Sequence, residues 1–233
     1  MNLYFILIEP AVPENIGAAA RAIKTMGFRS LWIVNSKQYQ EEKAKYLAHG
    51  ANEILENARY FSTFKEMLSE LDFSIATTSK SRSVRFEYLE GKNLHSFLSQ
   101  KTNIVNHTGI IFGREKYGLS NEELKQCDII SSIPQINNYP SLNLGQAVML
   151  YAYLLSDLSN QMTTTKKITK EKQSIGEYKT LRDKVEYILP KLGFDQETNI
   201  YGRITESLAR VSQDDMHLFL SLINKISEKI EKP

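Results

Sequence analysis

Three short stretches of this chain gather the residue types that chemistry needs: PENIGAAARAIKTMG at residues 13–27, IIFGREKYGLSNEEL at 110–124 and IPQINNYPSLNLGQAV at 133–148. In the first, Arg21 follows Asn15, Ile16, Gly17 and a run of alanines. Such small side chains let a helix lie close to a sheet while one guanidinium projects near its first turns. A guanidinium presents five donors in a fixed fork that grips phosphate, so Arg21 is a candidate functional cation; the plainer reading is a surface helix arginine. In the second stretch Gly113 closes an apolar run and Gly118 precedes a helix, so the backbone can approach a ligand at either point. The charges between them, Arg114, Glu115 and Lys116, either orient a nucleic acid or pair with one another on the surface. In the third, Tyr139, Pro140, Ser141, Leu142, Asn143 and Gly145 set hydroxyl, amide and backbone donors at a helix start, where polar ligand edges can be read or where Ser141 merely caps the helix.

The elements that must position these stretches alternate. Leu3–Ile8 is an apolar run of strand length, and residues 18–26 are helix formers that stop at Gly27. Leu31–Val34 and residues 73–77 repeat the strand pattern on either side of an amphipathic helix over 64–71. Residues 110–112 and 129–133 add buried strands, separated by a helix whose Ser120 and Glu123 fit a capping box. Alternation of this kind predicts an α/β domain with a parallel sheet of five or six strands. Ligands of such sheets collect at the carboxyl ends of the strands, and each chemical stretch follows or contains a short apolar run. From Leu144 the apolar residues Ala147, Val148, Tyr151, Leu154, Leu155 and Leu158 keep helical spacing, with Ser141 or Asn143 near the cap. Residues 159–176 have linker composition, and three amphipathic helices follow over 178–192, 201–211 and 216–230. The expected division is therefore 1–158, a polar linker, and a small all-α extension over 177–233.

Composition narrows the function classes. The chain has 233 residues, 42% hydrophobic, with net charge +2 and pI near 8.4, which permits a polyanionic partner without demanding one. Its single cysteine, Cys127, rules out an intramolecular disulfide and a multi-cysteine zinc site, and it reads as a small core hydrophobe in a reducing cytoplasmic setting. Met1-Asn2-Leu3-Tyr4 lacks the basic start of a signal peptide, and no apolar run has membrane-spanning length, so no membrane partner is expected. The glycine fingerprint of dinucleotide sites, the phosphate loop of NTPases and the serine elbow of hydrolases are all missing. His49, His95, His107 and His217 lack metal-ligand spacing.

Taken together, NIGAAARA, IFGREKYGLSNEEL and IPQINNYPSLNLGQAV resemble, in order and spacing, the three motifs of the SPOUT superfamily of RNA methyltransferases, in its TrmH-like ribose branch. The likeness runs from about Leu3 to Leu158 and continues faintly into the C-terminal helices. The resemblance implies a SPOUT-type α/β knot, a parallel sheet flanked by helices with a deep C-terminal trefoil knot. It implies S-adenosylmethionine as cofactor, held by Thr77, Thr78, Ser79, Gly113, Ile133, Pro140, Ser141 and Leu142, with Asn143 supporting the turn. It further implies a homodimer in which Arg21 and Asn15 act on substrate at a shared site, with no metal needed. Within the branch the motifs look most like tRNA (cytidine/uridine-2′-O-)-methyltransferases acting at position 32 of the anticodon loop. Ribosomal RNA or another tRNA position is the alternative substrate, and DNA is not expected. The C-terminal cations Lys179, Arg182, Lys184, Arg203 and Arg210, with the linker lysines, would suit a tRNA-binding appendage. Two other readings compete: a SPOUT-fold RNA binder without catalysis, which would show damage at Arg21 or the third motif, and a nucleotide-dependent oxidoreductase, which lacks its glycines.

Overall fold

The computed structural model describes residues 1–79, 88–137, 141–159, 176–196 and 198–231. Unbroken apolar runs mark strands buried on both faces, and they assemble here into one sheet. Its strands are β1 (Asn2–Ile8), β2 (Leu31–Val34), β3 (Arg59–Phe61), β4 (Phe73–Thr78), β5 (Tyr88–Glu90), β6 (His107–Phe112) and β7 (Ile129–Ser132). The order is β3-β2-β1-β6-β4-β7-β5 and every pair is parallel. The sheet thus has seven strands among the described residues where the sequence suggested five or six. The two extra ones, β3 and β5, are three residues long and carry Arg59 and Glu90, so neither offers an apolar run to find.

Side chains alternate along each strand and feed two cores. Phe5, Leu7, Ile33, Phe73, Ile75, Ile110 and Phe112 face one cluster, while Ile6, Ile8, Trp32, Val34, Ala76, Ile111 and Ile130 face the other. The first is covered by α1 (Pro13–Thr25) and α7 (Leu144–Leu154), and the second by α4 (Phe64–Ser69) and α6 (Asn121–Gln126). Shorter helices α2 (Glu42–Leu47), α3 (Asn52–Glu56) and α5 (Gly91–Ser99) fill the connections. Helix α1 starts at Pro13, five residues earlier than its helix formers suggested, because proline's fixed φ suits a first helical position. The small residues of α1 serve helix contacts more than contact with the sheet. A Cβ on Gly17 would collide with the Ala44 carbonyl of α2, and one on Gly145 of α7 would lie 2.8 Å from Ala18 Cβ.

The C-terminal helices α8 (Glu177–Lys191), α9 (Asn199–Leu208) and α10 (Gln213–Glu231) do not stand apart from this core. Tyr178, Leu181, Val185, Leu189 and Leu208 belong to the same cluster as Phe5 and Phe73. The linker residues 160–175 lie outside the described residues, so the chain can be followed again from Gly176. At Gly176 a Cβ would sit 2.9 Å from Asp72 Oδ2 and 3.0 Å from the Ile104 carbonyl, so the helix enters where only glycine fits. Cys127 is buried and unbridged, as a core residue would be. No helix among the described residues is long and apolar enough to cross a membrane.

Candidate active site

Four neighbouring strands, β1, β6, β4 and β7, release their following loops at one end of the sheet, and a cleft of about 230 Å³ opens there. It is lined by Asn15, Thr77, Thr78, Ser79, Gly113, Ile133, Ser141, Leu142 and Asn143, together with Tyr151 and the turn from Arg114 to Gly118. The structure therefore gathers every site residue expected from the sequence except two. Pro140 lies outside the described residues. Arg21 is exposed on α1 and is not among the lining residues.

The three loops are tied to one another by polar side chains. Arg114 donates Nε and Nη2 to Glu9 Oε2 and Oε1 at 2.8 Å each, and Nη1 and Nη2 to Glu123 Oε2 and Oε1 at 2.9 and 3.0 Å. Glu9, just past β1, is held at φ 45°, a left-handed conformation that costs a non-glycine residue energy. Hydrogen bonding to Glu9 and Glu123 holds the Arg114 guanidinium above its ordinary value, and its bond to Arg114 holds the Glu9 carboxyl below the usual carboxylate value. Glu115 accepts from the backbone amides of Ala11 at 3.1 Å and Val12 at 3.2 Å, and from Asn15 Nδ2 at 3.3 Å. Helix α1 has no capping side chain of its own at Val12, so a residue from the second loop anchors the backbone leading into it.

Asn15 turns its other end to the third loop: its Oδ1 accepts from Asn143 Nδ2 at 2.7 Å. Asn143 in turn caps α7, accepting from the Gly145 amide at 2.8 Å, while Gln146 closes the capping box at 3.1 Å. Of the two candidates for that cap, Ser141 and Asn143, the structure uses Asn143. The chain Glu115–Asn15–Asn143 thus bridges all three loops, and the Asn15 amide is committed at both ends.

Gly113 lines the cleft, and a Cβ there would collide with the backbone of Gly118 and Leu119 across the turn. Its smallness serves the loop's own closure. Arg114 and Glu115 do not pair with one another; they bind Glu9, Glu123 and the start of α1. Toward the sheet, the Thr77 hydroxyl donates to the Ile111 carbonyl at 2.9 Å, and Tyr151 donates to Ser131 Oγ at 3.2 Å. Burial pushes the Tyr151 phenol up to about 12. Glu9, Arg114 as a brace, and Tyr151 were missed as site residues; only the position of Glu9, directly after an apolar strand, signalled anything.

Three of the C-terminal cations have partners within the fold. Arg182 is paired with Asp128 at 3.2 Å, Lys179 donates to the Ser69 carbonyl at 2.8 Å and Lys184 to Asn224 at 2.5 Å. Among the described residues, no group of three His, Cys, Asp or Glu side chains could hold a metal ion.

The SpoU rRNA Methylase family profile matches residues 2–153, which include every described residue of this cleft. The chain belongs to the SpoU rRNA methylase family. Residues 176–230 match the C-terminal domain of the tRNA/rRNA methyltransferase LasT. Full-length likeness is shown by LasT of Escherichia coli, described as an uncharacterized tRNA/rRNA methyltransferase, 37% identical over 232 residues and covering 100% of both chains. The tRNA (cytidine-2′-O-)-methyltransferase TrmJ of Methanocaldococcus jannaschii is 40% identical over 152 residues, 64% of each chain. A probable methylase family protein from Haemophilus influenzae superposes with a TM-score of 0.62 at 30% identity, covering 99% of this chain and 97% of its own. The SpoU methyltransferase AviRb of Streptomyces viridochromogenes, solved with AdoMet, shares the fold at 18% identity and TM-score 0.55, covering 69% of this chain and 61% of its own. The kinship read from the three motifs, and the parallel α/β architecture, are borne out.

Proposed function

We propose that this SpoU-family chain transfers a methyl group from S-adenosylmethionine to a ribose 2′-hydroxyl of tRNA, at cytidine or uridine in position 32 of the anticodon loop. The observation that carries this reading is the convergence of three sequence-distant loops on one cleft, linked through Glu115, Asn15 and Asn143. The cleft's donor set suits the cofactor. Thr78 and Ser79 bring hydroxyls to the carboxyl end of β4, while Ile133, Leu142 and Tyr151 supply apolar and aromatic wall, the mixture expected of a small-molecule site.

Bound there, the cofactor supplies an electrophilic methyl for in-line displacement by the ribose oxygen. The protein's share is positioning and charge. Arg21 has no acceptor atom to take a proton, so its role is to clamp a substrate phosphate in its fork and polarise the hydroxyl. The hydroxyl proton passes to that phosphate or to a water beside it. Because Arg21 lies on the exposed face of α1, outside the cleft of its own chain, it serves best from a second copy. We accordingly propose a homodimer with Arg21 of one protomer facing the cleft of its partner.

The proposal includes the trefoil knot. In sequence β4 precedes both of its sheet neighbours, β6 and β7, and residues 141–143 return to the cleft beside Thr77–Ser79. Residues 80–87 and 138–140, where the crossing would close, lie outside the described residues. We also propose the division into a methyltransferase domain over 1–158, a linker and a helical extension over 177–233, and a cytoplasmic place of work, where tRNA is found.

One observation favours a second reading of the substrate. Likeness to TrmJ covers 152 residues, while the C-terminal residues match LasT, so the same chemistry at another tRNA position or on rRNA is the alternative. Methyl transfer from labelled S-adenosylmethionine to unmodified tRNA and rRNA, followed by nucleoside mass spectrometry, tests both. A 2′-O-methyl pyrimidine at position 32 is expected. Arg21→Lys should lower turnover about 100-fold with cofactor binding intact; near-normal turnover would rule out the clamp.

A further inference from the structure

The turn between Gly113 and Gly118 holds two side chains that neither core uses. Its ends are fixed: the Gly118 amide donates to the Arg114 carbonyl at 2.8 Å, the Arg114 amide returns to the Gly118 carbonyl at 3.3 Å, and Gly118 takes φ 69°. Arg114 is further gripped by two carboxylates, and Glu115 turns inward to α1. Lys116 and Tyr117, at the tip, stay exposed. Tyr117 leaves 67% of its surface in water, the Lys116 ammonium lies 5.0 Å from its ring centroid, and both line the mouth of the cleft.

A large ring that stays exposed on a turn whose backbone is already closed is well placed to meet a planar ligand, because the backbone has little conformational entropy left to lose on binding. We propose that Tyr117, with Lys116 beside it, is the stacking platform for the nucleobase of the RNA nucleotide whose ribose enters the cleft. This inference rests on the RNA methyltransferase reading above and adds to it the element that positions the base. Every base has a π-face, so a tyrosine platform tolerates cytidine and uridine alike. The ammonium attracts the flanking phosphates in a salt-dependent way. Tyr117 is thus a substrate-positioning residue, whereas Thr78, Ser79 and Leu142 serve the cofactor.

The test uses the full chain, unmodified tRNA transcripts and labelled S-adenosylmethionine. Tyr117→Ala should lower kcat/KM for tRNA by about ten- to a hundredfold, the range for losing one stacked base, while calorimetric affinity for the cofactor stays at the wild-type value. Tyr117→Phe should recover most of that loss, since stacking needs the ring and not the hydroxyl. A transcript lacking the base at the methylated nucleotide should erase the difference between wild type and Tyr117→Ala. Wild-type kcat/KM in Tyr117→Ala would overturn the platform, and so would a parallel drop in cofactor affinity, which would put the ring on the cofactor. If the wild-type chain binds no S-adenosylmethionine and methylates no RNA, the underlying reading falls first, a result distinct from either.

Discussion

The two ends of the central sheet both hold an arginine against acid, and they hold it in opposite ways. At the carboxyl ends, Arg114 grips Glu9 and Glu123 with all partners part-exposed, its own side chain 26% accessible. At the amino ends, Asp128 is only 4% accessible and takes Arg182 at 3.2 Å, the Tyr178 hydroxyl at 2.6 Å, and both the amide and hydroxyl of Ser74 at 2.7 Å. Burial pulls the Arg182 guanidinium down, yet Asp128 and its neighbours more than offset this and hold it above its ordinary value. Near it the Lys101 ammonium, 3% exposed, caps the Val211 carbonyl at 3.0 Å among the rings of Phe73, Phe97 and Tyr178. The wet arginine aligns the loops around the cleft; the dry one fastens the C-terminal helices. Similar ion pairs therefore carry different consequences, set by what water can reach.

The sharpest way to break this contrast is at the dry end. Removing Asp128 leaves a buried guanidinium and three donors without their acceptor, so Asp128→Ala should destabilise the fold by about 3–5 kcal/mol in urea unfolding. The double variant Asp128→Ala, Arg182→Met should recover part of it. A loss comparable to a surface pair would show that the C-terminal helices are not fastened there. A smaller effect comes from Lys101, whose pKa burial lowers from 10.5 to about 8, opposed by Asp128 and reinforced by Arg210. Between those values the unfolded chain keeps a proton that the folded chain has shed, so stability should rise with pH across that window, by up to about 3 kcal/mol. Thermal unfolding of wild type and Lys101→Met from pH 7.5 to 9.5 checks the sign, and the rise should vanish in the variant.

The sequence made one end of the molecule far more legible than the other. The cleft loops were visible because local signals coincide there: apolar runs, the Ser120–Glu123 capping box, and Asn143 just ahead of a helical repeat, all of which the structure contains. What escaped was the partner of each polar group. Glu115 reaches Ala11 across 104 positions and Asn15 reaches Asn143 across 128, and no periodicity encodes a pairing that only folding creates. The constraint on Gly113 is hidden for a related reason, since the atoms that forbid its Cβ belong to its own turn. The amino end gave no warning at all. Asp128 and Arg182 look like ordinary surface charges in sequence, and only the fold brings Arg182 onto a buried carboxylate.

The wet end supplies the smallest and most selective effect. Arg114→Lys keeps the charge but cannot hold two carboxylates bidentately, because an ammonium is a point donor and a guanidinium a fork. The pairs are partly hydrated, so folding stability should change by less than about 1 kcal/mol. Cofactor affinity should nonetheless fall about tenfold, since Gly113 and the Glu115–Asn15–Asn143 bridge depend on that turn's placement. Acid gives an independent check. Arg114 lowers the Glu9 pKa, so the brace stabilises fully above the carboxylate's unfolded value and is lost as pH falls through its depressed folded one. Wild type should therefore lose part of its stability below the ordinary carboxylate range, and Arg114→Lys should lose less. If the variant instead binds cofactor normally and unfolds as Asp128→Ala does, the two ends are both structural clamps, and exposure does not separate positioning from fastening in this fold.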